Sequence, residues 1–328
     1  MRMLNLNAGY PRRRSSSGIA WPKLPVFGVF LVLQAHLCWA TSNSVVNLSH
    51  YDTIRSDFAR MRNEGIISVI HEATYPRFNR DAKYSARQQA ATEAGLLWGA
   101  YHFGDATNPV VQADHFLEVV RSAWLAADPS SRPREVLLVL DFEQNGHYPG
   151  GTMRVDQAVT FVERIRERTG KYPGVYSNEN RIRKTLGNAT VNYQRVLAKC
   201  WLWAANYHCQ PRTTSPWNDW DLWQYTGDGV CGLPRARFPT HVANMRRAER
   251  NMFRGNETAL KTFWSERACQ PDGTSSQEKL LPRSGMDPDR RCEFSDLVTT
   301  TNAVCADRGV SKHSPRVRSE SIDTLDLP

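Results

Sequence analysis

A repeated pattern of amphipathic stretch, glycine and short apolar strand is the feature that most limits the folds open to this chain. The glycines are Gly65, Gly95 and Gly170, and the apolar segments that follow them are "IISVI", "LLWGAYHF" and "GVYS". A glycine after the last helical turn supplies the left-handed conformation that ends a helix. Further strands are predicted at "VVNL", "VLLVLDFE", "CWLWAAN" and "DLWQYT". Seven or eight strands separated mostly by helices favour an α/β barrel, and helices thin out after residue 200.

The two ends of the chain differ from this repeating region. Residues 1–40 place basic residues before the apolar stretch "LPVFGVFLVLQAHLCWA", which is short for a membrane span and predicts a secretory signal. An uncleaved anchor is the alternative. Residues 265–328 are polar and aperiodic, which predicts a largely disordered extension. The predicted domains are therefore a signal peptide at 1–40, a barrel at 41–264 and a tail at 265–328, in a secreted or periplasmic protein.

Charge content bears on the possible partners of the chain, and cysteine content bears on possible disulfides. The formal net charge is +9, and removal of residues 1–40 would lower it to +4 because that segment holds five basic and no acidic residues. The chain has no arginine-rich stripe with interleaved aromatics, so nucleic acid is not an expected partner. Six cysteines would remain after cleavage, and the sequence cannot choose among about 15 pairings. We expect a monomer with no metal or other cofactor and no stable membrane insertion after cleavage.

Two carboxylates end the most apolar strand of the chain. The run "LLVL" has no polar face, which suits a strand covered on both sides, and Asp141 and Glu143 follow it directly. Alternation along a strand puts both acids on the same face as Val139. In an α/β barrel this position is the carboxyl-terminal mouth, where reactive groups gather. The pair can divide the roles of acid and charge stabiliser, although a loop cap and a solvated acid are the structural alternative.

Aromatic and histidine residues also follow predicted strands. Flat aromatic rings with polar edges suit sugar rings, so a carboxylate pair among them points toward carbohydrate, although most of these rings should be core. Three histidines, His50, His71 and His102, could converge on a metal. Local hydrogen bonding is favoured instead, because neither an HxH pair nor an HExxH helix is present.

From Val45 to about Trp264 the chain resembles the glycoside hydrolase family 25 lysozymes, which are secreted N-acetylmuramidases. The motifs that carry the resemblance occur in the family's order: "VVNLSHYD", "HEATYP", "AGLLWGAYHF", "QADHF", "LLVLDFE", "RTGKYPGVYSN", "WLWAANY" and "DLWQYTGDG". The resemblance implies an irregular TIM-like barrel with about five βα units followed by mostly β strands. It also implies cleavage of the β-1,4 bond between N-acetylmuramic acid and N-acetylglucosamine, with peptidoglycan glycan strands as the partner.

The resemblance also assigns site residues. The family's catalytic acid falls on Glu143 and its companion carboxylate on Asp141. Asn47 stands where the family usually has an aspartate, and Glu249 stands where it has a second one, so both are expected at the substrate site, with a charge lost at Asn47 and a longer carboxylate side chain at Glu249. The groove aromatics implied by the resemblance are Tyr101, Tyr176, Trp203 and Tyr225. A non-catalytic or weakly active peptidoglycan-binding protein that kept the sugar groove is the alternative function.

Overall fold

A computed structural model describes residues 41–53, 55–213 and 215–271 of the chain. The predicted signal peptide and nearly all of the predicted C-terminal extension lie outside these residues. None of the helices in the described part has the length and apolar character needed to cross a bilayer. The described cysteines are all free thiols: Cys200, Cys209, Cys231 and Cys269.

The fold is a closed barrel of eight strands surrounded by helices. The strands are β1 (Ser42–Leu48), β2 (Ser68–Tyr75), β3 (Asn79–Arg80), β4 (Leu97–Phe103), β5 (Val136–Asp141), β6 (Gly174–Asn178), β7 (Trp201–Ala205), β8 (Leu222–Thr226) and β9 (Glu249–Phe253). Around the barrel the order is β1, β2, β4, β5, β6, β7, β8 and β9, and β9 pairs back to β1. All neighbours are parallel except β9, which is antiparallel to both β8 and β1. The short β3 pairs antiparallel with β2.

Helices follow the first five barrel strands and become scarce afterwards. They are α1 (Phe58–Asn63), α2 (Tyr84–Glu93), α3 (Pro109–Ala126), α4 (Val155–Thr169), α5 (Glu179–Arg181) with a π-helical turn at Ile182–Leu186, α6 (Val191–Leu197) and α7 (Glu257–Arg267). Between β7 and β9 the described residues form no helix. The predicted α/β class, the five βα units and the irregular last third are thus confirmed. Gly65, Gly95 and Gly170 have φ of +89°, +76° and +77°, as the helix-end prediction requires.

Two hydrophobic layers hold the barrel. Alternation along β5 sends Leu138, Leu140 and Phe142 outward against the helices, and Leu137 and Val139 inward. The inner layer also contains Trp203 and residues of α7, so both faces of β5 are covered and its apolar run is explained. The inward face of β5 leads directly to the mouth of the barrel, which fixes the direction in which Asp141 and Glu143 point.

The folded region continues past the predicted barrel end at Trp264. Helix α7 runs to Arg267, and Ala268 and Cys269 are buried. Cys269 forms an antiparallel bridge with Val136, with N–O distances of 2.8 and 3.1 Å in the two directions. The segment therefore pairs with the start of β5 beside the inner layer.

We expect truncation after Trp264 to destabilise the domain, whereas truncation after Pro271 keeps every contact just described. The shorter protein loses two buried side chains and two backbone hydrogen bonds, a cost of about 2 kcal/mol or more. Thermal unfolding of the two truncated proteins measures the difference. Equal melting temperatures would mean that residues 265–271 add nothing to the barrel.

Candidate active site

A cleft of about 590 Å³ opens at the carboxyl-terminal ends of the barrel strands. Seven of the eight sequence-predicted site residues line it: Asn47, Tyr101, Asp141, Glu143, Tyr176, Trp203 and Glu249. These residues come from six different strands and from the loop after β5. The barrel closure therefore brings together side chains that are far apart in the sequence.

Asp141 and Glu143 share one side of the cleft, as strand alternation predicts. Phe142 between them points outward, where the Arg181 guanidinium carbon lies 4.1 Å from the centre of its ring. Asp141 is buried, and its Oδ1 atom has no hydrogen-bond partner among the described residues. Glu143 Oε1 accepts a hydrogen bond of 3.3 Å from Asn178 Nδ2. Few hydrogen bonds therefore stabilise the charged form of either acid.

Desolvation and nearby negative charges raise the pKa of both carboxyls. Desolvation is the larger cause for each. For Asp141 the charges of Glu143, Glu72 and Glu249 raise the pKa further, and for Glu143 the charge of Asp228 does so. Two carboxyls in one poorly solvated site hold a proton to higher pH than either would alone. The raised pKa values favour the protonated form of each carboxyl, which is the form that can donate a proton.

The floor of the cleft is a hydrogen-bonded network around Glu249. Asn47 Nδ2 donates to Glu249 Oε2, and Gln224 Nε2 donates to the same oxygen at 3.1 Å. Asn251 Nδ2 donates to Asn47 Oδ1 at 2.9 Å, and Trp203 Nε1 donates to Asn251 Oδ1 at 2.8 Å. Asn47 therefore serves as a donor to the neighbouring carboxylate, a role that an aspartate could not fill without carrying a proton.

Glu249 itself has a pKa raised to about 7, chiefly because its half-buried carboxyl group is desolvated and also because of the charges of Asp52 and Asp228. A carboxyl whose pKa is higher in the folded state than in the unfolded state stabilises the fold most at low pH. That stability is lost as the pH rises from the unfolded value, about 4.5, through 7. Glu249 is therefore a destabilising residue at neutral pH.

We expect Glu249→Gln to remove this pH-dependent loss. Between pH 4.5 and 7.5 the free energy of unfolding of the parent should fall relative to that of the variant by about 3 kcal/mol. Urea denaturation of both proteins at several pH values measures the difference. Parallel stability curves would show that Glu249 titrates normally in the folded protein.

Aromatic rings form the walls of the cleft. Tyr176 and Trp203 meet edge to face with ring centres 4.6 Å apart, and Tyr101 lies 6.5 Å from Trp203 in a similar arrangement. Tyr176 donates from its hydroxyl to Gln224 Oε1 at 2.5 Å, which fixes the ring. At the rim, Tyr51 is 67% exposed and its hydroxyl lies 2.5 Å from that of Tyr148. Rigid rings with polar edges line the space between floor and solvent.

Tyr225 is the one predicted site residue that lies elsewhere, and its assignment to the groove is corrected. Its ring is fully buried on the outer face of β8, 5.3 Å from the ring of Phe238. The hydroxyl donates to Asn43 Oδ1 and to the carbonyl of Pro239. Alternation along β8 turns Gln224 into the cleft, so its neighbour Tyr225 must face out.

Two of the three histidines considered for a metal form local hydrogen bonds instead. His71 Nε2 accepts from Arg87 at 2.9 Å, and burial lowers the His71 pKa to about 3. His102 bonds Thr74 and Gln112, and burial lowers its pKa to about 4. His50 is the exception, since it lies beside Glu72 and Asp81 at the edge of the cleft. His71 Nδ1 also lies 3.7 Å from Asp81 Oδ2, but His102 is not among the residues that meet there, so the three histidines do not form one site.

Several cleft residues were missed from the sequence. Gln224 alternates with Tyr225 on a predicted strand, but both faces of that strand are buried, so the sequence does not show which of the two faces the cleft. Tyr207 and Asp228 lie in loops after β7 and β8, where no periodic pattern applies. Glu72 is a polar residue within β2, and nothing in its local sequence shows that it reaches the cleft.

Comparison with known proteins identifies the family. The family model described as glycosyl hydrolases family 25 matches residues 46–232, which is more than half of the chain. The chain belongs to glycosyl hydrolase family 25. This family 25 chain is 25% identical to Lysozyme M1 of Streptomyces globisporus over 198 residues, which cover 57% of the chain and 63% of that protein. It is 30% identical to the uncharacterized protein YegX of Escherichia coli K12 over 176 residues, covering 52% and 57%.

Solved structures agree with the barrel fold of this family 25 member. A muramidase from Trichobolus zukalii has a TM-score of 0.50 and 21% identity, covering 66% of this chain and 96% of that one. A family 25 lysozyme from Aspergillus fumigatus has a TM-score of 0.50 and 23% identity, covering 68% and 98%. The chain spans about three fifths of the length of the curated relatives it matches. The family and the fold follow from these comparisons.

Proposed function

We propose that this family 25 protein is a peptidoglycan hydrolase that cuts the β-1,4 bond between N-acetylmuramic acid and N-acetylglucosamine. The observation that carries the proposal is the carboxyl pair Asp141 and Glu143, with raised pKa values, in an aromatic-walled cleft at the barrel mouth. Hydrolysis of a glycosidic bond through an oxocarbenium-like transition state commonly uses two such acids. The lysozyme and muramidase names of its relatives agree with this substrate.

In the proposed mechanism Glu143 protonates the leaving glycosidic oxygen, and Asp141 stabilises the positive charge at the anomeric carbon. Glu143 has the raised pKa that an acid needs, and Asn178 orients its carboxyl group. Asp141 acts as the carboxylate, and the positive charge that develops beside it favours this ionised form, since a nearby cation lowers a carboxyl pKa. Retention of configuration is expected from the family resemblance.

Substrate binding is assigned to the walls and floor of the cleft. Tyr101, Tyr176 and Trp203 offer ring faces and edges to sugar C–H groups. Asn47 and Glu249 supply polar groups on the floor, where hydroxyl or acetamido groups of a sugar would exchange with the existing bonds. We further propose that residues 1–40 direct export, which places the enzyme outside the cytoplasm with the cell wall.

Release of dye from labelled peptidoglycan tests the function against the non-catalytic alternative. The alternative is motivated by Asn47, which replaces a family aspartate. A hydrolase releases soluble dye, whereas a binding protein sediments with the wall and releases none. Borohydride reduction of the products then identifies the bond, since a muramidase leaves N-acetylmuramic acid at the new reducing end. Reduced N-acetylglucosamine would overturn the assigned bond while leaving hydrolysis intact.

A further inference from the structure

A cluster of three potential ligands lies beside the cleft, where three separate segments meet. His50 follows β1, Glu72 lies in β2, and Asp81 follows β3. One ligand atom from each residue lies within 4.8 Å of the other two. Glu72 and Asp81 have side chains that are 6% and 0% exposed, and His50 is 25% exposed. The cluster is therefore buried at its base and open to solvent on one side.

One oxygen in the cluster has no partner. Asp81 Oδ1 accepts a hydrogen bond of 2.8 Å from the backbone amide of Lys83, which fixes the carboxyl group. The other oxygen, Oδ2, is buried without a hydrogen-bond partner among the described residues and lies 3.9 Å from His50 Nδ1. Leaving a buried carboxylate oxygen without a partner costs free energy. An ion held between these groups would remove that cost.

Neither of the two histidines near Asp81 Oδ2 forms a hydrogen bond with that oxygen. His50 Nδ1 contacts Glu72 Oε2, so a proton there serves Glu72 and leaves Asp81 Oδ2 unpaired. His71 Nδ1 is 3.7 Å from Asp81 Oδ2, but this atom lies 2.6 Å from the Glu72 carbonyl and Nε2 receives a bond from Arg87. Both ring nitrogens of His71 are thus occupied within the protein.

The surrounding charge also permits a cation. With His50 neutral, as a metal ligand must be, the three carboxyl groups of Glu72, Asp81 and the nearby Asp52 outnumber the two cationic side chains of Lys83 and Arg87. Lys83 Nζ donates to the carbonyls of His50 and Asp52 at 2.6 and 2.9 Å, so the ammonium group holds the loop after β1 in place.

We propose that His50, Glu72 and Asp81 bind a divalent transition-metal ion, with Zn²⁺ the best match to one imidazole nitrogen and two carboxylate oxygens. Ligand atoms around tetrahedral Zn²⁺ lie roughly 3.3 Å apart, so His50 Nδ1 has to move away from Glu72 Oε2 and come closer to Asp81 Oδ2, from which it now lies 3.9 Å. A water completes the coordination on the open side. The ion ties the loops after β1 and β3 to β2. This inference departs from the sequence expectation of no metal and does not rest on the hydrolase proposal.

Calorimetric titration of chelator-treated protein with ZnCl₂ at pH 7 tests the site. We expect one strong site in the parent, and at least about a tenfold weaker affinity in Glu72→Gln and in Asp81→Asn, because each amide keeps the side-chain shape and loses the ligand charge. Glu249→Gln is the matched control, since it removes a half-buried carboxylate of the same cleft outside the cluster. Its affinity should equal that of the parent. Absence of binding in the parent would leave only a protein ion cluster and overturn the proposal.

Two further measurements guard against unfolded variants and other binding sites. With Zn²⁺ at 100 times its dissociation constant, the parent's melting temperature should rise by about 5 °C or more, and that of Asp81→Asn should not. The absorption spectrum of Co²⁺-loaded parent should lack thiolate charge-transfer bands, because none of the three ligands is a cysteine. Strong thiolate bands, or unchanged affinity in both cluster variants, would place the metal elsewhere and refute the site.

Discussion

Glu143→Gln is expected to reduce peptidoglycan hydrolysis by about a thousandfold or more while leaving the fold and wall binding nearly intact. The amide keeps the size of the side chain and can still accept the bond from Asn178 Nδ2, but it has no proton to transfer to the leaving oxygen. General acid catalysis contributes about 10²–10⁴ in rate, and the amide cannot make that contribution. Dye release gives the rate, and sedimentation with insoluble wall gives the binding.

Glu163→Gln is the matched control for that experiment. It makes the same chemical change at an exposed position on α4, away from the cleft. The control should match the parent in both assays. A near-normal rate in Glu143→Gln would remove Glu143 from the role of acid, and loss of binding together with rate would point to a structural defect.

Asp141→Asn is expected to lower kcat by about a hundredfold or more, as when a charge aimed at the transition state is removed. The same variant should be at least as stable as the parent at neutral pH. Burial and the charges of Glu143, Glu72 and Glu249 raise the pKa of Asp141, so its stabilising contribution is lost as the pH rises above the unfolded value. The amide carries no charge and avoids that loss.

Opposite changes in rate and stability are the result that distinguishes this role from a structural one. The measurements are kcat on soluble peptidoglycan fragments and thermal unfolding at pH 5 and pH 7.5. The stability advantage of the variant should be larger at the higher pH. Comparable activity in parent and variant would mean that Asp141 does not stabilise the transition state. That role would then be assigned to Glu249, which lies in the same cleft.

The sequence was sufficient for the fold class and for the position of the acid pair. Glycines at helix ends and apolar strand segments are local signals, because φ sterics and two-residue alternation act within a few residues. Strand β5 shows this most clearly: its all-apolar run required cover on both faces, and alternation then put Asp141 and Glu143 on the cleft side. Those conclusions needed no knowledge of neighbouring strands.

The tertiary structure decided what depends on which strands meet. On β8 both faces are buried, so hydrophobicity could not tell whether Tyr225 or Gln224 faces the cleft, and the packing of Phe238 on the outer face settles it. Asn47 and Glu249 are 202 residues apart and meet only because β9 pairs antiparallel to β1 and closes the barrel. Contacts of this kind depend on closure of the whole sheet, and hydrogen bonds between distant residues leave no periodic signal in either segment.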